Sequence, residues 1–204
     1  IRSFIESRIF PKEAPRVILS GAGSSAFVGL AAENLLRKRW QVDVESRAST
    51  DIVTSWDSIL PKRAETTLVS LSRSGNSPES IGAFILANRL CERINHIIIT
   101  CNKDGKLART DPESGNILRL LLSEDANDKG LAMTVSFTTM LMASQFLAYI
   151  QNSEEYERIL GGMSKATETI FKEYSSLIKE VSRLGFERAF FLGNGALYGC
   201  AVES

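Results

Sequence analysis

The sequence predicts an α/β fold: a three-layer αβα sandwich around a five-stranded parallel sheet, flavodoxin- or Rossmann-like, followed by the start of a second such unit. Three observations predict it. Short apolar runs alternate with helical patterns through residue 150, as in a parallel sheet covered by helices on both faces. Two of those runs end directly in small, hydroxyl-rich loops, at Gly21–Ser25 and Ser72–Ser77. A run followed by Gly-x-Gly and a helical pattern occurs twice, at Val17–Gly23 and again at Ala189–Gly195.

Residues 1–14 read as an N-terminal helical segment. Val17-Ile18-Leu19 is the first strand. After the loop, Phe27, Leu30, Ala31, Asn34 and Leu35 recur at helical spacing. Arg37, Lys38 and Arg39 close that helix, where cations favour the carbonyl end. Val42 and Val44 alternate with Asp43 and Glu45, so Gln41–Glu45 reads as the second strand, and Thr50 or Asp51 could cap a short helix leading to Trp56. Thr67–Leu71 is the third strand. Ser77 suits an N-cap, Pro78 the first helical position and Glu79 the first turn, of a helix running to about Cys91 or Arg93. His96–Thr100 is a fourth strand, continuously apolar at Ile97-Ile98-Ile99 as buried parallel strands are. Ile117–Leu122 is the fifth. Leu131–Ile150 is helical by length, and two further helical patterns precede Gly185. Residues 15–150 therefore form one domain, 151–187 connecting helices, and 188–204 the opening of a second domain. The chain lacks an initial Met and stops inside a helical pattern with no C-cap, so a fragment of a longer protein is expected.

Composition excludes several function classes. Lys plus Arg and Asp plus Glu are 24 each, giving zero net charge, whereas a nucleic-acid binder carries a basic excess. The most apolar stretch, Leu131–Ile150, is interrupted by Thr134, Ser136, Thr138, Thr139, Ser144 and Gln145, so no membrane span is expected. The first residues lack the apolar core of a signal peptide. Cys91, Cys101 and Cys200 are odd in number and form no CxxC. They read as reduced thiols of a cytoplasmic protein. No cluster of His, Cys and carboxylates has metal-ligand spacing, and no metal or cofactor is expected. His96, the only histidine, has no nucleophile beside it in sequence and reads as structural or surface. Glu33, Asp43 and Glu45 read as solvated or capping charges, and Lys103 and Lys106 as loop surface.

The two loops carry the chemistry. In open parallel sheets, ligands sit beyond the carboxyl ends of the strands, near the point where strand order reverses. Each loop lies between a strand and a helix whose first N–H groups are unpaired and partly positive. Glycine lets backbone approach an anion closely, and Ser24, Ser25, Ser72, Ser74 and Ser77 add hydroxyl donors. A compact phosphate suits such loops. A rival reading is a dinucleotide site. Gly21-Ala22-Gly23-Ser24-Ser25-Ala26 fits G-x-G-x-x-G/A, with Asp43 and Glu45 about 20 residues on to hold a ribose. That reading leaves Ser72–Ser77 unexplained.

Gly23-Ser24-Ser25, Ser72-Arg73-Ser74-Gly75-Asn76-Ser77, and Gly130-Leu131-Ala132-Met133-Thr134 followed by Phe137-Thr138-Thr139 together resemble the sugar isomerase (SIS) domain family. Within it, SRSGNSPES and GLAMT-x-SFT are most similar to the tagatose-6-phosphate ketose/aldose isomerase group, which is also linked to amino-sugar-phosphate deamination and is related to the isomerase domain of glucosamine-6-phosphate synthase. The resemblance covers roughly Pro15–Ile150 and resumes from about Arg188.

The resemblance implies that Ser72, Ser74 and Ser77 hold a sugar phosphate, with Gly23, Ser24 and Ser25 lining the site and Thr134 nearby. Arg73 stands where the synthase relatives have Gln, and Val135 where they have Lys. The implied activity is isomerisation or deamination of a hexose or hexosamine 6-phosphate by proton transfer between C1 and C2, which needs a general base. In the synthase relatives that base and a ring-opening His come from the second domain. The matching Glu would fall beyond Ser204, which leaves Glu203 as a weak catalytic candidate. The family also implies a homodimer, with the Leu131–Ile150 helix a plausible interface element. Two alternatives remain: a non-catalytic regulatory module that binds a sugar phosphate, and an NAD-dependent oxidoreductase.

Overall fold

In the computed structural model, which describes residues 1–10, 15–113, 115–130 and 132–204, the apolar runs become five strands. They are β1 (Arg16–Gly21), β2 (Asp43–Ala48), β3 (Thr66–Ser72), β4 (Ile94–Thr100) and β5 (Asn116–Leu121). Every pairing is parallel, in the order β2-β1-β3-β4-β5. The chain lays β2 on one side of β1 and then returns to lay β3 on the other. The strand order therefore reverses between β1 and β3, and the connections above those two strands leave in opposite directions.

The helices are α1 (Arg2–Arg8), α2 (Ser24–Trp40), α3 (Ser49–Thr54), α4 (Trp56–Ile59), α5 (Pro78–Leu90), α6 (Lys106–Arg109), α7 (Thr134–Ala148), α8 (Ser153–Thr169), α9 (Ser175–Ser182) and α10 (Ala196–Glu203), with a π-helical turn over Ile170–Tyr174 between α8 and α9. Strand residues alternate between two apolar layers. Val17, Leu19, Val69, Leu71, Ile97 and Ile99 face one layer, with Ile5, Ile9, Leu36, Trp40, Met140 and Leu147. Ile18 and Leu68 face the other, with Ile52, Ala83 and Ala87. Both faces of β3 and β4 are buried, which is why β4 carries the continuous apolar run Ile97-Ile98-Ile99 and why β3 carries only small hydroxyls, Thr66, Thr67, Ser70 and Ser72, among its apolar residues. Trp40 Nε1 donates to the Leu147 carbonyl at 3.0 Å and joins α2 to α7 inside the first layer.

Several boundaries differ from the sequence reading, for local reasons. Gln41 takes a left-handed conformation (φ 55°) as the C-cap of α2, so the chain is still turning there and β2 runs from Asp43 to Ala48. α3 starts at Ser49 behind Ala48, and neither Thr50 nor Asp51 caps it. β4 starts two residues early because Ile94 and Asn95 already pair with Thr66 and Thr67. α7 starts at Thr134 rather than Leu131, which lies outside the described residues, as do 11–14 of the expected N-terminal helical segment. Ala189–Leu192 is not a strand: no described strand pairs with it, and Phe190 and Leu192 are exposed.

The repeat of the loop is nonetheless present in geometry. Gly23 has φ 55° and ψ −130° and Gly195 has φ 53° and ψ −127°, each as the N-cap of its helix. Ser25 and Ala26 donate amides to Ala22 and Gly23, and Leu197 and Tyr198 donate to Asn194 and Gly195 in the same pattern. The two helices that follow, α2 and α10, pack on each other.

His96 is fully buried on β4 against the Phe84 ring, at 4.2 Å between centroids. Asn88 Oδ1 can only accept, so the His96 Nε2–H donates to it, at 3.2 Å. Burial pushes the imidazole down to about 4, against about 6.5 in an unfolded chain. Folding therefore demands the neutral form. The stability that His96 permits is complete above about pH 6.5 and declines as pH falls toward the folded value. We expect the melting temperature to fall more steeply between pH 7 and pH 4.5 in the wild type than in His96→Gln, measured by circular dichroism. Equal slopes would contradict a buried neutral imidazole.

Candidate functional site

The strand reversal opens a cavity of about 150 Å³ between the two hydroxyl-rich loops. The β1 loop contributes Ala22 and Ser25, the β3 loop Ser72, Arg73, Ser74 and Ser77, and the segment before α7 contributes Met133. A larger cavity, about 480 Å³, lies at the opposite end of the sheet among Phe10, Trp40, Asp43 and Gln151. It includes none of the residues expected to hold a sugar phosphate and lies away from the carboxyl ends where such sheets bind ligands.

The β3 loop is built so that its hydroxyls donate. Gly75 N–H bonds Ser72 Oγ at 3.1 Å, and Asn76 N–H bonds Ser74 Oγ at 3.2 Å. A hydroxyl that accepts from an amide keeps its own proton free for an acceptor. Gly75 sits at φ 65°, and this left-handed step turns the loop. Ser77 is the N-cap of α5 with Pro78 following, as expected, but its hydroxyl bonds Ser80 Oγ at 2.6 Å rather than a backbone amide. The positive charge comes from Arg73. Its guanidinium donates to the main-chain carbonyl of Asp128 and, among the described residues, forms no ion pair. Hydroxyl donors around an unpaired cation suit a compact anion.

Asp128 holds the third wall. Its carboxylate accepts the Ser136 amide at 2.7 Å in the first turn of α7. That backbone bond, together with the nearby Arg73 charge, holds the carboxyl below the usual Asp range. One residue thus ties the Arg73 guanidinium, through its carbonyl, to the start of α7, through its side chain.

The predicted residues divide accordingly. Ser25, Ser72, Arg73, Ser74 and Ser77 meet around the cavity. Gly23 and Ser24, the N-cap and first residue of α2, lie in the chain between the lining residues Ala22 and Ser25 but do not themselves line it. Thr134 opens α7, exposed, and the lining side chain is its neighbour Met133. Glu203 is half-buried at the end of α10 and does not line the cavity. Asp43 and Glu45 are in the wrong place for a ribose. They pair with Arg16 and Ile18 of β1, about 16 and 10 Å along the strand from Gly21 at ~3.3 Å per residue. Glu45 is also held by Arg16 and Arg47. This arrangement removes the feature on which the dinucleotide reading rested. Glu33, read as a solvated or capping charge, binds Arg37 at 2.5 Å and the Ser46 amide at 2.9 Å, joining α2 to β2.

Met133 and Asp128 were not legible as site residues. An Asp eight positions before its amide partner matches no local capping pattern. The three cysteines are free, and burial raises the Cys91 and Cys101 thiols to about 11. Among the described residues, no group of three His, Cys, Asp or Glu could hold a metal ion, and no helix is long and apolar enough to cross a membrane.

Residues 12–150 match the family model of the SIS domain. The chain belongs to the SIS domain family. The match spans all five strands and both hydroxyl-rich loops. Among known proteins, the chain is 34% identical over 206 residues to D-galactosamine-6-phosphate deaminase AgaS of Escherichia coli, covering 100% of this chain and 53% of that protein. A crystal structure from Clostridium novyi NT, described as a candidate tagatose-6-phosphate ketose/aldose isomerase, superposes with TM-score 0.90 at 38% identity, covering 99% of this chain and 51% of that one. The tagatose-6-phosphate ketose/aldose isomerase structure from Escherichia coli gives TM-score 0.74 at 31% identity, over 99% of this chain and 55% of that one. The SIS chain spans about half the length of these relatives.

Asp128→Asn keeps the shape and removes the charge that α7's first turn sees. We expect its melting temperature to lie below that of the wild type at pH 7. The folded carboxyl titrates below its unfolded value, so the difference should close as pH falls through about 4, where the unfolded Asp protonates, and below. A gap that persists undiminished in acid would show that the cap does not depend on ionised Asp128.

Proposed function

We propose that this chain binds the phosphate of a hexose or hexosamine 6-phosphate in the Ser72–Ser77 cavity, as part of an enzyme that isomerises or deaminates the sugar by moving a proton between C1 and C2. The carrying observation is the cavity itself: Ser72 and Ser74 hydroxyls already loaded by backbone amides, beside an Arg73 charge without an ion-pair partner among the described residues. Ser25 adds a further donor, Ser77 lines the cavity with its hydroxyl donating to Ser80 Oγ until a ligand competes for it, and Gly23, Ser24 and Thr134 lie at the border. A phosphate fixed there anchors one end of the substrate and presents the C1–C2 end for reaction, so binding energy is converted into positioning. The names of the relatives support both isomerase and deaminase chemistry, and the curated ones favour an amino sugar.

The cavity lining contains no carboxylate and no histidine among the described residues. We therefore place the general base and the ring-opening group in a second SIS domain that opens at residue 188, after connecting helices over 151–187 and a first domain over 15–150. Glu203, on the repeated helix, is the one acid of this chain retained as a catalytic candidate. The assembly we propose is a cytoplasmic homodimer with α7 at its interface. No cofactor enters the scheme. The same lining also favours a second reading, in which the site only senses a sugar phosphate.

Two measurements separate these readings. Thermal-shift titration should stabilise the protein by about 2.7 kcal/mol at a hundredfold excess of a hexose or hexosamine 6-phosphate over Kd, with no shift for NAD. Ser72→Ala and Ser74→Ala should each raise Kd about tenfold, or roughly 1.4 kcal/mol, in line with loss of a hydrogen bond to a charged group. Assay of the full-length protein then decides the chemistry. Ammonia release from galactosamine 6-phosphate marks a deaminase, aldose–ketose exchange marks an isomerase, and binding without turnover marks a sensor.

A further inference from the structure

The β3 loop does not shape itself. Three consecutive carbonyls in it are held by one neighbouring segment, Thr100–Leu107, which the functional reading has not used. Thr100 Oγ1 donates to the Arg73 carbonyl at 3.3 Å, Asn102 Nδ2 to the Ser74 carbonyl at 2.9 Å, and Leu107 N–H to the Gly75 carbonyl at 2.9 Å. In a trans peptide the C=O and the following N–H point in opposite directions. Pulling those carbonyls one way therefore turns the amides of Ser74, Gly75 and Asn76 the other way. The Gly75 and Asn76 amides are the two that load Ser72 Oγ and Ser74 Oγ.

The segment is itself held for this task. Thr100 Oγ1 accepts the Asn102 amide at 3.2 Å while it donates to Arg73. Asn102 Oδ1 accepts the Asp104 amide at 3.0 Å while its Nδ2 holds Ser74. In return, Asn76 Oδ1 accepts the Lys106 amide at 2.9 Å. The two loops touch through glycines. A Cβ on Gly105 would lie 2.5 Å from the Ser74 carbonyl oxygen and 2.9 Å from Gly75 Cα.

We propose that Thr100, Asn102 and Gly105 are positioning residues for the phosphate cradle: they fix the peptide planes of Arg73–Gly75 so that the Ser72 and Ser74 hydroxyls aim their protons at the anion. None of the three lines the cavity; they act through the loop. The inference rests on the reading of that loop as a phosphate site.

The test uses the full-length protein with two probes, inorganic phosphate in calorimetry and the sugar 6-phosphate in turnover. Thr100→Val is isosteric and removes the hydroxyl, and Asn102→Ala removes the Ser74 bond. Each should weaken phosphate binding five- to tenfold and raise KM by the same factor, with kcat within twofold. Thr100→Ser keeps the hydroxyl and should restore wild-type affinity. Gly105→Ala should be the most damaging of the set. A drop in kcat and melting temperature with unchanged phosphate affinity would overturn the proposal and leave the segment a merely structural role. So would Thr100→Val binding like the wild type. Ser72→Ala/Ser74→Ala distinguishes the two levels. If that variant loses phosphate while Thr100→Val and Asn102→Ala keep it, only the positioning role fails. If the wild type takes up neither probe, the cradle fails and the positioning role with it.

Discussion

The reversal of strand order between β1 and β3 is the constraint on which the rest of the molecule depends. A parallel sheet forces every connection over a face, and the chain changes face only where strand order changes direction. With β2 laid outside β1 and β3 returning inside, α2 and α5 leave from adjacent strands toward opposite layers. The gap between their first turns is the cavity. The burial of Val69, Leu71, Ile97 and Ile99 beneath it makes that gap a fixed feature of the fold. Ligand chemistry is then set by short loops that carry little of the folding energy.

Those loops divide the work of recognition. The β1 loop offers Ser25 and a tight glycine turn, while the β3 loop offers hydroxyls already engaged as acceptors. Engaged hydroxyls differ from free ones, because a free Ser rotor can present either a lone pair or a proton. Occupying one of the two lone pairs leaves the proton free and biases each hydroxyl toward an acceptor such as an anion. Arg73 adds charge at the rim, where its guanidinium is held by the Asp128 carbonyl and lies near the Asp128 carboxylate without a direct ion pair among the described residues.

Much of the fold was legible because its signals are local. β1, β3 and β4 announce themselves by short apolar stretches, Val17-Ile18-Leu19, Leu68-Val69 and Ile97-Ile98-Ile99, and the turn chemistry of Ser77-Pro78-Glu79 marks the start of α5. β2 was shifted because one left-handed residue, Gln41, ends a helix where alternation suggests a strand has begun. Ala189–Leu192 has the composition of a strand, but a strand exists only as a relation to a neighbour. The serines of the site were legible for the same reason as α5, since they lie together in the chain. Asp128 meets Arg73 across 55 residues and Asn102 meets Ser74 across 28. No composition or spacing rule reaches that far, so the parts that aim the serines became visible only once the sheet was assembled.

The packing of α10 on α2 has a consequence for how closely two matched helices can approach. Counting from the two matched N-caps, Gly199 occupies the place of Phe27, and it rests on Phe27's own backbone, where a Cβ would lie 2.4 Å from the Phe27 carbonyl oxygen. Equivalent positions meeting face to face is the arrangement of a two-fold axis. Yet the pair is deliberately unequal, bulky on one side and bare on the other. Two α2 helices brought together in this way would drive phenylalanine into backbone, whereas the bare Gly199 lets α10 lie directly on α2. A single missing side chain thus sets how closely two matched helices approach.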